Sequence, residues 1–403
     1  MSFQPPRGTD DILPPESEAW RRALAIWDEW ARLYGFPLVM TPIFESTDLF
    51  ERGVGDTTEM VTKQMYTFED QGGRSLTLRP EGTAGVVRAY IGAGSPGVWK
   101  GAYSGPFFRY ERPQGARRRQ FWQVGVEYLD VESPRADAEV IELAHRYLSE
   151  VGVQGLELLL NSLGDRKCRP GYVEVLRGYL RDRSSDLSEQ GVELIEQNPL
   201  RVLDSKADGP KLTDAPRSAD HLCDACAEHY ATTKALLSDL GVPYTEDPTL
   251  VRGLDYYTRT TFEYVSNDLD ASQNAVGGGG RYDGLSESLG GPPVPGVGFA
   301  LGLDRIVLST EAPVGSGIDA YLVSEAGPDD ALRIASRLRD AGLAIDFDTE
   351  GRSVKAQFRA ARRSGSDITL VWKGSGRVDV QSEGDRLELE VEDVPGWFKE
   401  RSG

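Results

Sequence analysis

Cysteine, histidine and lysine are scarce in this chain. It holds three cysteines and three histidines in 403 residues, and only nine of its 45 basic residues are lysine. Three cysteines cannot build the multiply bridged framework of a small secreted domain. Long apolar runs are missing too, since none approaches the roughly 18 residues of a membrane-spanning helix. The opening MSFQPPRGTDDILPP has neither a basic n-region nor an apolar h-region, so no secretory signal is expected. The chain reads as cytoplasmic, with no membrane partner. Positive charge is in deficit, with 64 Asp and Glu against 45 Lys and Arg and a formal net charge of −19. An acidic, lysine-poor surface suits a cytosol at very high salt, where the Debye length falls to about 3 Å at 1 M. An ordinary acidic enzyme is the plainer alternative. Aromatic residues are plentiful, with 16 Tyr, 13 Phe and 7 Trp, which argues for folded domains. The length suggests two or three of them.

Against that acidity, the stretch from Phe108 to Glu127, FRYERPQGARRRQFWQVGVE, concentrates five arginines. Either a strongly anionic ligand sits there or the arginines pair with surplus carboxylates. Strand alternation puts Arg109 on the face opposite Phe108 and Tyr110. A guanidinium on a rigid strand clamps phosphate well, because its fork makes two parallel charge-assisted bonds. Arg117, Arg118 and Arg119 occupy a loop that could close over a polyanion. Any one of them could be a salt-bridge partner, but five in one hairpin need a common cause.

Cys223 and Cys226 form a CxxC, with His221 and His229 nearby. HLCDACAEHYATTKALLSDLG reads as one continuous helix ending at Gly241, and the distant Cys168 supplies no second pair. No resident metal is expected, and the thiols read as reduced and structural.

Elsewhere the pattern gives organisation. Ser17–Tyr34 carries a helical stripe of Trp20, Leu24, Trp27 and Ala31, stopped by Gly35. The run 36–44 reads as a strand, with shorter strands around Gln64–Phe68 and Leu76–Leu78 and a helix from Thr83 to Ile91. The arginine-rich loop joins two antiparallel strands, so an antiparallel sheet is expected. From Pro170 to Leu240 the sequence is polar and helical, as if inserted. Gly315-Ser316-Gly317 has linker composition. After it, strand (318–323), helix (329–341), strand (344–348), helix (353–363) and strand (367–372) predict a small α/β domain.

Three further stretches carry chemistry. Arg79-Pro80-Glu81-Gly82-Thr83 puts a carboxylate at a helix start, where a first-turn acid is favourable in any case. LVRGLDYYTRTTFE (250–263) joins Arg252 to the pair Tyr256-Tyr257. GGGGRYDG (277–284) removes side chains where a ligand could approach backbone, although a glycine run alone is more often a linker. GVGFALGLDR (296–305) reads as a strand entering a helix with Arg305 near its start.

Taken together and in this order, these stretches closely resemble the histidyl-tRNA synthetase family of class II aminoacyl-tRNA synthetases. The general class II motifs are the helix-strand unit ending at Pro42, the FRYERP…RQFWQ hairpin and GFALGLDR. The two histidine-specific stretches are LVRGLDYY and GGRYDG. The resemblance covers nearly the whole chain. It implies an α+β class II synthetase fold: an antiparallel sheet with flanking helices, a helical insertion and a C-terminal α/β anticodon-binding domain. The implied boundaries are a catalytic core over 1–168 and 246–314, the insertion over 169–245 and the anticodon-binding domain over 318–403.

The resemblance also implies roles. Arg109 would hold the ATP α-phosphate, Arg305 the distal phosphates with Mg²⁺, and Arg119 would assist. Glu81, Gly82, Thr83 and Gln123 would surround the α-amino group of histidine. Glu127 and Tyr257, beside Tyr256, would bond the two imidazole nitrogens. Arg252 would bridge the substrate carboxylate and the α-phosphate. Lys355, Arg359, Arg362 and Arg363 recur at helical spacing, and with Arg352 they form a basic face suited to tRNA phosphates. Gln114 would approach the tRNA acceptor end. A homodimer is implied. The main rival is the non-catalytic, synthetase-like regulatory subunit of ATP phosphoribosyltransferase, which usually lacks the C-terminal domain and degrades the second histidine-specific arginine. A class II synthetase for another amino acid is the second.

Overall fold

The computed structural model describes residues 3–55, 58, 60–111, 117–251, 256–269, 274–310 and 317–402. The chain forms two compact units, one of residues 1–11 and 22–312, the other of residues 12–21 and 313–403. Among the described residues, no helix is long and apolar enough to cross a membrane.

The larger unit is built on two sheets. A small antiparallel sheet orders β1 (Phe44–Ser46), β3 (Ser75–Leu78) and β2 (Tyr66–Glu69) side by side. A seven-stranded sheet is formed by β4 (Trp99–Phe108), β5 (Gln120–Leu129), β6 (Leu156–Ser162), β7 (Thr245–Glu246), β8 (Thr258–Ser266), β9 (Ala275–Arg281) and β10 (Gly296–Gly302). Its spatial order is β4-β5-β10-β9-β8-β6-β7. The expected antiparallel sheet needs one correction, because β7 runs parallel to β6. The helical stretch between those strands returns the chain to the sheet edge in the same direction, as a long crossover permits.

Alternation along β10 assigns its two faces. Phe299 packs edge-on against Trp27, with ring centroids 5.9 Å apart, and Trp27 in turn meets Tyr147 at 5.3 Å. Tyr147 lies on the helix Pro134–Val151, which Ser133 caps by accepting from the Arg135 amide and which ends at left-handed Gly152. This aromatic stack fastens the helix to the back of the sheet, and truncating Trp27 to Ala would cost about 3–5 kcal/mol. Gly298, Ala300 and Gly302 occupy the opposite face. In register, Gly298 stands beside Glu127 of β5, and Gly302 beside Gln123.

Two local expectations change. The run 36–44 is not a strand for most of its length. Leu38 makes one parallel bridge to Ala102, supported by Val39 N donating to Ala102 O and Ala102 N to Pro37 O. Pro37 and Pro42 have no amide to donate, so the ladder cannot extend, and regular pairing begins only at Phe44. The continuous helix expected up to Gly241 is broken. Ser218–His221 forms a short 3₁₀ turn, Leu222 and Cys223 are extended, and the helix proper is Asp224–Asp239.

The smaller unit has a mixed sheet in the order β12-β11-β13-β14-β15, with β11 (Ala320–Ser324), β12 (Ile345–Phe347), β13 (Thr369–Trp372), β14 (Arg377–Ser382) and β15 (Asp385–Glu390). The first three strands pair in parallel, and the last two form an antiparallel hairpin. The helix Pro328–Asp340 has Pro at its first turn with Asp329 and Asp330, and Arg337 and Arg339 in its last, matching the helix dipole at both ends. Its Ile334, Ala335 and Leu338 pack on Leu322, Leu370 and Val380.

Candidate active site

The open face of the large sheet floors a cavity of about 290 Å³. Backbone makes much of that floor. At Gly279 a Cβ would stand 2.0 Å from the Gly298 carbonyl oxygen, and at Gly298 it would stand 2.0 Å from Glu127 Oε2. The glycine run expected to open the backbone to a ligand is thus the strand β9, and two of its members, Gly277 and Gly278, line the cavity. Where β8 meets β9 the register slips between Thr258 and Thr261. Such irregularities cluster beside active sites because they re-aim the neighbouring side chains.

One group of side chains gathers around two buried carboxyls. Glu81 folds back over the start of the helix Thr83–Gly92, accepting from the Thr83 amide at 2.7 Å and the Ala84 amide at 2.9 Å. Burial pushes its pKa up, although those amides and Arg109 pull the other way. Glu127 is fully buried. Its Oε1 accepts from Thr83 Oγ1 at 2.7 Å and Tyr103 Oη at 3.4 Å, and its Oε2 accepts from Tyr282 Oη. Burial lifts Glu127 to about 8, partly offset by these hydroxyls, with Glu81 adding repulsion. Tyr256 and Tyr257 complete this wall, ring centroids 4.7 Å apart. Gln123 lines the cavity, and its Oε1 is buried with no hydrogen-bond partner among the described residues. An amide oxygen left in this way can accept from a donor that a ligand brings.

A second group is cationic. Arg109, Arg117, Arg118 and Arg305 all line the cavity. Arg109 donates from Nε to Pro80 O at 2.9 Å, and its guanidinium lies over the Phe121 ring. Arg305 donates to Ala275 O. Its pKa is drawn down by burial first and then by neighbouring Arg117 and Arg109, against the pull of Glu111 and Glu263. Like charges gathered around a half-buried Arg305 repel it, offset in part by Glu263 and by Glu111, which pairs with Arg117 at 3.3 Å. A polyanion relieves that repulsion. Arg118 is committed differently, bridging Asp304 at 3.1 Å and Asp10 at 3.0 Å. Asp304 also accepts from the Trp122 amide, so this cluster fixes β5 against the start of the helix Leu303–Leu308.

Of the residues singled out from sequence, Glu81, Thr83, Arg109, Gln123, Tyr256, Tyr257 and Arg305 share this cavity. Gly82 sits between two of them, and a Cβ there would meet the Tyr103 ring at 2.6 Å. Glu127 is placed one layer back, screened by Thr83 and Tyr282. Arg119 turns out of the cavity, its guanidinium 3.9 Å from the Tyr110 ring centroid and its Nε donating to Glu111 O. Arg117 is the neighbour that faces in. Arg252 and Gln114 lie outside the described residues. Sequence reasoning assigned no role to Tyr282, Tyr103, Glu111 or Glu263. Tyr282 was visible, because alternation in GGGGRYDG must send Arg281 and Tyr282 to opposite faces. Arg281 indeed turns into the back of the sheet, where it pairs with buried Asp137, itself bonded by His229 at 3.1 Å.

A family model described as histidyl-tRNA synthetase matches residues 8–306. The chain belongs to the histidyl-tRNA synthetase family. The histidine–tRNA ligase of Nocardia farcinica is 44% identical over 423 positions, covering 100% of this chain and 99% of the relative. That of Koribacter versatilis is 47% identical over 386 positions, covering 91% and 87%. Among solved structures, the apo histidyl-tRNA synthetase of S. aureus superposes with a TM-score of 0.77 at 37% identity, over 99% of this chain and 100% of that one. The fold is accordingly the α+β fold of a class II synthetase, with its catalytic sheet and flanking helices. The synthetase is an enzyme that forms histidyl-tRNA by way of histidyl-adenylate.

Proposed function

We propose that this one cavity binds L-histidine at the carboxyl and tyrosine group and MgATP at the arginine group, with Arg109 common to both. The observation that carries this reading is the convergence of Arg109, Arg117 and Arg305 on a cavity that Glu81 and Gln123 also line. The α-ammonium of histidine would sit against Glu81, Thr83 and Gln123. Its imidazole would lie along Tyr257 and Tyr282, with Glu127 acting directly or through the Tyr282 hydroxyl. Pairing both ring nitrogens leaves buried groups unmatched when another side chain enters, which supports discrimination of about 10⁴-fold without editing. Arg109 would take the α-phosphate, and Arg305 with Arg117 the distal phosphates. Glu111 and Glu263 offer the hard carboxylate oxygens that suit Mg²⁺ entering with the triphosphate. The histidine carboxylate then attacks the α-phosphorus in line and pyrophosphate leaves; the tRNA ribose hydroxyl next attacks the acyl carbon, losing its proton as the mixed anhydride breaks and AMP leaves. No side-chain nucleophile is required, so positioning and charge stabilisation carry the rate. Arg252 keeps its role at the developing charge.

The smaller unit would read the anticodon. On the helix Val354–Ser364, Lys355, Arg359, Arg362 and Arg363 are exposed, and none pairs with a carboxylate among the described residues. A second copy of the chain would complete a homodimer, and the acidic, lysine-poor composition fits work at molar salt. Amino-acid-dependent pyrophosphate exchange tests the central reading. Exchange with histidine alone, sustained at high salt, is expected, and exchange with threonine or proline would overturn it.

A further inference from the structure

Among the described residues, one group of metal-ligating side chains converges, away from the cavity just described. Asp165 and Cys168, in the turn after β6, meet Cys223 and Cys226 at the start of the helix Asp224–Asp239, and their ligand atoms all lie within 4.8 Å of one another. We propose that Asp165, Cys168, Cys223 and Cys226 form a structural zinc site.

Donor chemistry, spacing and surroundings support it. Three sulfurs and one carboxylate oxygen are a closed set of four, and thiolate-rich tetrahedral sites select zinc among the common divalent ions. Tetrahedral Zn–S bonds of about 2.3 Å place sulfurs about 3.8 Å apart, so metal entry needs only a small contraction of the observed cluster. Cys226 is completely buried and the other three are partly so, which leaves no open position for a substrate. The backbone already serves the ligands: the Asp165 amide points at Cys168 Sγ at 3.4 Å, and the Lys167 and Cys168 amides donate to Asp165 Oδ1 at 2.9 and 3.3 Å. Left-handed Gly164 makes room, since a Cβ there would stand 2.6 Å from Cys168 Sγ. Arg259 approaches Asp165 Oδ2 at 3.5 Å. It would orient that ligand and offset one of the two negative charges left when three thiols lose their protons and four anionic ligands close on Zn²⁺.

The site would pin both ends of the intervening helical segment. Next to it, Arg169 donates to the carbonyls of Leu163, Gly164 and Tyr257. Zinc would therefore also brace the Tyr257 wall. That consequence rests on the role proposed for Tyr257, whereas metal content does not.

The test uses the full chain, purified under reducing conditions, with metal measured by plasma mass spectrometry. About one zinc per chain is expected in the native protein, and background levels in Cys168→Ser and Cys226→Ser. Exchange into Co²⁺ should give the intense ligand-field bands of a tetrahedral site with thiolate-to-cobalt charge transfer. Asp165→Cys should keep the tetrahedral bands and strengthen the charge transfer. Should the serine variants fail to fold, the native zinc ratio and cobalt spectrum still decide. A native protein that neither carries zinc nor takes up tetrahedral cobalt, with three freely titrating thiols or a Cys223–Cys226 disulfide, overturns the proposal. A rise in KM for histidine on zinc removal, with KM for ATP held, would extend it to Tyr257. Equal changes in both would sink that extension alone.

Discussion

In the cavity, Arg109, Arg117 and Arg305 are half-buried, close enough to repel one another, and two of them are tied to backbone carbonyls. On the helix Val354–Ser364, Lys355, Arg359, Arg362 and Arg363 project into water. The same kind of charge does different work in the two settings. Two unit charges 4 Å apart interact with about 1 kcal/mol in bulk water and about 4 kcal/mol at the effective dielectric of a protein surface. A desolvated guanidinium can therefore act singly and with fixed direction. Exposed cations act only as a group, and salt weakens them first. Molar salt should erode the helix face long before it touches the cavity.

The comparison can be broken most decisively at Arg305. Arg305→Ala should lower histidine-dependent pyrophosphate exchange by about 10²–10³-fold, the usual loss when one preorganised charge-stabilising group is removed. A loss under ten-fold would mean that the cavity arginines are as interchangeable as exposed ones. Gln123→Leu comes next. Losing a bond to a charged amine costs about 1.5–3 kcal/mol, so KM for histidine should rise at least ten-fold while KM for ATP barely changes. On the helix, Arg359→Ser with Arg362→Ser should raise KM for tRNA only several-fold at low salt, with the salt slope of binding reduced by about two. That effect should be confined to the tRNA-dependent step and vanish at 1 M salt. Persistence at 1 M would show that these residues make desolvated contacts after all.

The smallest effect concerns stability. Burial raises Glu127 to about 8 in the folded chain, so the folded protein holds a proton that the unfolded chain releases in the ordinary carboxyl range. Stability from this group is complete at acid pH and is lost as pH rises through about 8. Glu127→Gln should flatten the decline in Tm of the ligand-free enzyme over that window, by about 1–2 °C per kcal/mol for a protein of this size. Identical pH profiles for the two proteins would place Glu127 in a wetter setting than its bonds to Thr83 and Tyr282 indicate.

Much of this is legible in the sequence, for a physical reason. The hairpin around the arginines, β10 running into the helix of Arg305, and the strand-helix alternation after residue 318 are local patterns of period 2 or 3.6. Other features depended on more than one segment. The run 36–44 has strand-like residues, but Pro37 and Pro42 cannot donate, so it gains a single bridge. Arg117 rather than Arg119 faces the cavity because Tyr110 captures the Arg119 guanidinium, a contact across the hairpin that spacing does not reveal. Cys168, read as too distant to supply a second pair, lies beside Cys223 and Cys226 for the same reason. Its partners lie beyond an entire helical segment, and only the fold brings the turn after β6 to the first turn of a helix that sequence periodicity ran on without a break.

The glycines of β9 and β10 leave the base of the binding chamber as bare main chain. Side chains can swing aside for an awkward guest, but a hydrogen-bonded strand cannot. On the reading proposed above, selectivity would be adjusted at the walls, through Gln123, Tyr257 and Tyr282. Where Gly277, Gly278 and Gly298 line the chamber there is no side chain left to trim, so room for a bulkier amino acid would have to come from elsewhere.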